Sequence, residues 1–181
     1  MVERVALDLA LDRGYEAVTV EMICDAAVVS PSTFFNYFGS KERALLGPEP
    51  DVLDQDRLAP FITGTGDRLV DLMTVLVADW PADAEQRALL LKRLDLIERT
   101  PALKAAHHAR IERASAAVAQ AATVRLRREG VADPEQRGAM IMALSHALMH
   151  WMIDRLRVEP ATAWPDLVTH AVATLRAVGA A

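Results

Sequence analysis

Apolar and polar positions along this chain alternate at helical spacing nearly throughout. Val2, Val5 and Leu9, with Ala6 and Ala10 at the next turn, share one side of a helix over 2–13 that Gly14 ends. Thr19 caps a second helix through about Ala27, with Glu21 in its first turn complementing the dipole. Ser30 and Pro31 open a third over 31–38, Gly39 stops it, and Ser40 caps a fourth from Lys41. Pro48 and Pro50 break that fourth helix, and helicity is expected to resume near Asp51 and fade by Pro60. The stretch "ITGTGD" lacks the Gly-Lys-Ser/Thr ending of a phosphate loop and reads as a plain linker. Longer helices follow at about 67–80, 84–99, 101–129, 134–157 and 165–179, punctuated by Pro81, Thr100-Pro101, Gly130, Asp133-Pro134 and Pro165. The pattern predicts three short helices, a broken connector and roughly five longer helices.

Composition adds few constraints beyond this. The 181 residues are 52% hydrophobic, enough for one substantial core or a small module on a larger one, and scarce Gly with short β-branched runs favours an all-α fold. No apolar run approaches membrane-spanning length, and Met-Val-Glu-Arg at the start lacks the layout of a secretion signal, so no membrane partner and a cytoplasmic location are expected. The one cysteine, Cys24, excludes an internal disulfide and a Cys-cluster metal site, and is expected as a small buried apolar residue. A net charge of −5 excludes nucleic-acid binding through bulk positive charge, so any such binding must be local.

The local candidate is "SPSTFFNYFGSK", residues 30–41, where four of the chain's six Phe and Tyr residues fall within five positions. Two helices of about eight residues joined by a three-residue turn, braced by an N-terminal helix, have the layout of a helix-turn-helix. The second helix of such a pair sits in the DNA major groove and the first crosses the backbone. Pro31, Ser32 and Thr33 then face base edges and nearby phosphates, while Thr19 and Ser30 offer hydroxyls and free backbone donors to phosphate. Side chains repeat every 100°, so four rings on one short helix cannot all point inward. Phe34 and Phe38 are expected inside, Phe35, Asn36 and Tyr37 outside, with Lys41 reaching the same phosphate backbone. The domain division expected is 1–46 for this helix-turn-helix and 47–181 for a helical ligand-binding and dimerisation domain.

The helix at 134–157 is apolar around most of its circumference and must be covered on two sides, by its own bundle and by a second copy. Ala139, Ala143 and Ala147 permit close approach, and Leu167, Ala171, Leu175 and Val178 of the last helix add a second stripe, which predicts a homodimer. His146 and His150 have the spacing of two metal ligands, but nothing completes a set, so they are expected as polar groups in a pocket or seam, with no metal and no cofactor. Without Gly-x-Ser-x-Gly, His-Glu-x-x-His or a paired-acid motif, no enzyme is expected. Met73, Trp80, His107, Met140, His146 and Trp151 are the candidate lining for an apolar or amphipathic small-molecule effector, being adaptable side chains where Leu and Ile would serve stability alone. A helical small-molecule-binding protein with weak or lost DNA binding is the competing reading, and a structural interaction protein ranks third.

Residues 6–46, "ALDLALDRGYEAVTVEMICDAAVVSPSTFFNYFGSKERALL", resemble the DNA-binding domain of TetR/AcrR-family transcriptional regulators. Gly14-Tyr15, Thr19-Val20, Ile23, Ala26-Ala27, Val29-Ser30, Thr33-Phe34-Phe35, Tyr37-Phe38 and Ser40-Lys41-Glu42 fall at that family's spacing. The resemblance implies an all-helical homodimer that binds operator DNA, usually represses, and lets go when a small molecule enters the larger domain. By position it implies DNA contact at Thr33, Phe35, Asn36, Tyr37 and Lys41, with Pro31 and Ser32 at base-reading places. The sequence departs from the family at three points. Only Arg4 stands where an Arg- or Lys-rich arm is usual, so weak binding, or a start downstream of the native one, is expected. Residues 1–45 hold seven acids against four bases, which weakens the electrostatic attraction to DNA. Val28 stands where Gly usually shapes the turn and would be strained at positive φ.

Overall fold

The computed structural model describes residues 1–47 and 55–179, and every regular element among them is an α-helix. The helices are α1 Val2–Arg13, α2 Val20–Ala27, α3 Pro31–Phe38, α4 Lys41–Leu46, α5 Gln55–Thr63, α6 Arg68–Leu76, α7 Ala84–Arg99, α8 Pro101–Arg128, α9 Pro134–Val158 and α10 Trp164–Gly179. Boundaries read from caps and breakers agree closely, with two differences. Helix α5 runs through Pro60 to Thr63, since one proline removes a single backbone donor and the turn continues around it. Helix α6 stops at Leu76, short of Pro81, because its end tightens into turns in which Ala78 N–H donates to Val75 O and Trp80 N–H to Val77 O. The expected break at Pro48 and Pro50, and the renewed helix near Asp51, lie outside the described residues.

The chain forms two compact units, Met1–Val52 with Ala88–Ile111, and Leu53–Arg87 with Glu112–Ala181. In the first, the buried sides of α1, α2, α3 and α4 meet Leu96, Ile97 and Leu103 around Leu7, Ile23, Phe34 and Leu45. Cys24 is buried in this core as an apolar residue. Polar contacts bind the same pieces together. Arg93 Nε donates to Leu45 O at 3.1 Å, and its Nη2 pairs with Glu3 at 2.5 Å. Arg110 Nη1 donates to Gly47 O at 3.1 Å, and Lys92 pairs with Asp8 at 2.6 Å. Residues 88–111 carry five bases against two acids, which offsets the acid excess of residues 1–45.

The second unit packs α5 and α6 on the middle of α8 through Leu58, Phe61, Leu72, Val118, Ala121 and Ala122, and sets α9 against α10. At its centre lies a buried charge. Arg125, with a side chain 1% exposed, donates to Asp71 Oδ2 at 2.8 Å, Glu129 Oε1 at 2.8 Å, Phe61 O at 3.0 Å and Gly66 O at 2.8 Å, and its guanidinium stands 5.1 Å from the centre of the Phe61 ring. Arg128 donates to Thr63 O and Gly64 O at 3.0 and 2.7 Å. The carbonyls left over at the end of α5 and in the following loop are thus satisfied by arginines of α8. A Cβ on Gly64 would lie 2.7 Å from Asp71 Oδ2, so only glycine lets the loop approach that closely. "ITGTGD" is therefore a linker tied down by two arginines. Elsewhere in this unit, Arg87 donates to the carbonyls of Pro81, Pro160 and Thr162, and Trp164 Nε1 donates to Pro81 O at 2.8 Å.

Candidate nucleic-acid interface

Helix α2 begins where Thr19 Oγ1 accepts the Met22 N–H at 3.3 Å. Glu21, in the same first turn, has its carboxyl held below the usual range by its own backbone N–H and by the Thr19 hydroxyl. The helix ends in a Schellman turn, with Val29 N–H donating to Cys24 O at 3.0 Å and Val28 N–H to Asp25 O at 3.3 Å. That turn needs a left-handed residue, and the sequence supplies Val28 at φ 55°, ψ 48°. A β-branched side chain there is strained, as expected. Val28→Gly should therefore raise stability by about 1 kcal/mol, the relief of strain outweighing glycine's greater freedom in the unfolded chain. Urea denaturation checks this, and an unchanged or lower midpoint would refute it.

Helix α3 starts on Ser30, whose Oγ accepts the Thr33 N–H at 3.0 Å and lies 2.8 Å from Thr33 Oγ1. Phe34 is buried, with its ring 5.2 Å from Phe38 and 5.7 Å from Phe35, while Phe35 is 50% and Tyr37 81% exposed. Thr19, Ser30, Pro31, Ser32, Thr33 and Asn36 are exposed as well. Ser32, Phe35 and Asn36 lie three and four residues apart and share one face of the helix. Eight of the nine residues singled out for DNA contact are thus brought onto the open surface of one short helix pair and its caps.

The ninth, Lys41, is half-buried and turned inward. Its Nζ donates to Tyr15 O and Val18 O, each at 2.8 Å, and sits 4.1 Å from the centre of the Tyr15 ring. Burial, followed by the carboxylates of Glu42 and Glu16, raises the Tyr15 phenol above its ordinary value. Lys41 thereby ties α4 to the loop that leads into the Thr19 cap. Two of its three N–H groups are taken by these carbonyls, and the Tyr15 ring lies beside the ammonium. Nothing in the local sequence signals this inward turn, because the accepting carbonyls lie 26 and 23 residues earlier.

The six residues expected to line an effector pocket are dispersed. Met73 is fully buried in the second unit, Trp80 stacks edge-on against Trp164 at 4.9 Å, and Met140 is 59% exposed. His146 Nε2 lies 3.0 Å from Ser115 Oγ, and Trp151 meets the His170 ring at 5.3 Å. His107 belongs to the first unit, where burial lowers its pKa. A cleft of about 390 Å³ in the first unit and one of about 230 Å³ in the second are lined by none of the six. Among the described residues no three His, Cys, Asp or Glu side chains group as metal ligands, and no helix is long and apolar enough to cross a membrane.

A capped helix pair with a tight turn, braced by α1 and exposing the polar N-terminal face of its second member, defines a helix-turn-helix protein. The family model for bacterial regulatory proteins of the tetR family matches residues 4–46, which hold this whole motif. The HTH-type transcriptional regulator TcmR of Streptomyces glaucescens is 34% identical over 153 residues, covering 80% of this chain and 66% of that protein. The chain thus spans just under two thirds of that relative's length. The fold is also that of a TetR-family transcriptional regulator from Mesorhizobium loti (TM-score 0.55, 21% identity, 97% of this chain and 92% of the other). It is shared by the TetR-family regulator PfmR from Thermus thermophilus (TM-score 0.55, 19% identity, 97% of each chain). Residues 4–46 thus match the tetR-family helix-turn-helix, and the chain as a whole shares the fold of these regulators.

Proposed function

We propose that this protein is a sequence-specific DNA-binding transcriptional regulator, a repressor released by a small apolar or amphipathic ligand, working in the cytoplasm as a homodimer without enzymatic activity. The observation that carries this reading is the exposed N-terminal face of α3, where the Ser30 cap engages Thr33 and leaves Ser32 and Asn36 open to meet base edges. In this division of labour residues 1–46 read DNA and 47–181 bind ligand and dimerise. The test is fluorescence anisotropy with duplex DNA from upstream of the protein's own gene against a scrambled duplex, over a series of salt concentrations. The specific duplex should bind at least about a thousandfold tighter, with affinity falling steeply with salt. Equal affinity for both duplexes would favour the competing reading, a ligand-binding protein without operator recognition.

The dimer is assigned to α9 and α10. Leu148, Met152 and Leu156 of α9, and Leu167, Val168, Ala171 and Val172 of α10, are buried within one chain. The opposite side of α9 leaves Met140 exposed together with Ala139, Ala143 and Ala147, the alanines small enough for a second copy to come close. An interface of this type buries roughly 2,000 Å² or more. Ala143→Glu places an unpaired charge in it and should weaken association at least about a hundredfold, roughly 3 kcal/mol. Sedimentation should find a wild-type dimer and a variant monomer at micromolar concentration, whereas a wild-type monomer would rule the interface out.

A further inference from the structure

The cleft of about 390 Å³ in the first unit has a composition that its place beside the DNA-reading helices does not explain. Its walls come from the end of α1, the loop 14–17 and the junction of α7 and α8, with Ala10, Leu11, Ala17, Leu96 and Pro101 giving an apolar lining. Two arginines stand on its rim. Arg13 is exposed, with a long 3.8 Å contact to its neighbour Asp12 among the described residues, and Arg99 is exposed in the last turn of α7. Neither is needed to satisfy the backbone there, since Gly14 N–H already bonds Ala10 O at 3.0 Å and Thr100 N–H bonds Ile97 O at 3.2 Å. The Arg93, Arg110 and Lys92 cations of the same unit are by contrast all engaged with named carbonyls or carboxylates.

We propose that this cleft is a ligand site for a small monocarboxylate with an apolar body, its carboxylate held by Arg13 and Arg99 and its chain lying on Leu11, Ala17, Leu96 and Pro101. Paired guanidiniums at the mouth of an apolar cleft recognise a planar carboxylate better than an alcohol of the same shape. A second carboxylate at the far end of the chain would have to leave water for the apolar lining, which disfavours a dicarboxylate. The volume falls at the small end of the usual range for ligand clefts, which limits the occupant to a compact acid. Binding here bears on the loop 14–17, whose Tyr15 carbonyl holds Lys41. This site shares no residue with the candidate effector lining of Met73, Trp80, His107, Met140, His146 and Trp151 and does not depend on that assignment.

The experiment uses octanoate, octan-1-ol and octanedioate as probes on the full chain, followed by amide chemical shifts and calorimetry. Octanoate should shift amides confined to residues 10–17 and 96–101 and bind tighter than the alcohol or the diacid. The Arg13→Gln, Arg99→Gln double variant should keep its melting temperature and its weak affinity for the alcohol, and lose octanoate affinity at least about tenfold. Equal binding of acid and alcohol, octanoate binding unchanged in the double variant, shifts centred elsewhere, or no shifts at all would each overturn the proposal. Operator binding by the same double variant is read separately, so the DNA-reading account and this site stand or fall independently.

Discussion

Arg125→Met is expected to cost about 3–5 kcal/mol of stability, because it strands Asp71, takes from Glu129 one of its two arginine partners, leaving Arg68, and leaves the carbonyls of Phe61 and Gly66 without their donor. The arginine is among the most buried large side chains in the chain, so water cannot replace it without opening the packing around Phe61 and Leu72. Denaturation by urea, followed by far-UV circular dichroism, checks the value, and a loss below about 1 kcal/mol would mean the site is wetter than its geometry. The same group sets a pH dependence. Glu129 is held below the ordinary carboxylate range, chiefly by its hydrogen bond from Arg125. Its folded pKa is depressed, so its contribution is present above the unfolded pKa and is lost as pH falls through the folded one. In Arg125→Met that acid-side loss should shrink.

Changes at Tyr37 and Lys41 should separate two roles that one contact list would merge. Tyr37 is 81% exposed, so Tyr37→Phe should leave stability within about 0.5 kcal/mol and, on the proposed reading in which its hydroxyl meets a phosphate, weaken binding to every DNA sequence. Lys41→Ala removes two charge-assisted bonds to Tyr15 O and Val18 O and, on the proposed reading, a cation beside the DNA backbone. It should cost about 1.5–3 kcal/mol of stability and flatten the salt slope by about one unit. Binding by the Tyr37→Ala, Lys41→Ala double variant should fall at least about a hundredfold on a fully folded fraction determined beforehand. Unchanged affinity in that variant would remove both residues from the interface.

Helices were legible in the sequence wherever a capping side chain or a breaker acts on its own neighbours. Thr19, Ser30 and Ser40 each cap the helix that follows through a bond three residues long, so the local sequence carries all the information needed. The inward and outward faces of α3 follow from the 100° repeat alone. Val28 could be flagged only through the family resemblance, which places Gly at that turn, and its φ of 55° bears the expected strain out. Arg125 was not legible, since an arginine in an amphipathic helix ordinarily faces water and its partners lie 54 and 64 residues away. Trp80 shows the same limit. Its ring is committed to Trp164, a pairing between distant segments that makes a structural joint of a residue suited by chemistry to a pocket.

Entry of α3 into the major groove is tested most directly by selecting duplexes from a randomised library with the wild-type protein and with Ser32→Ala and Asn36→Ala. The wild type should enrich two half-sites related by a two-fold axis, and each variant should relax the preference at the same base positions in both halves while still binding DNA. Enrichment of one identical motif by all three proteins, or of none by the wild type, would contradict the reading of α3 as the base-recognising helix.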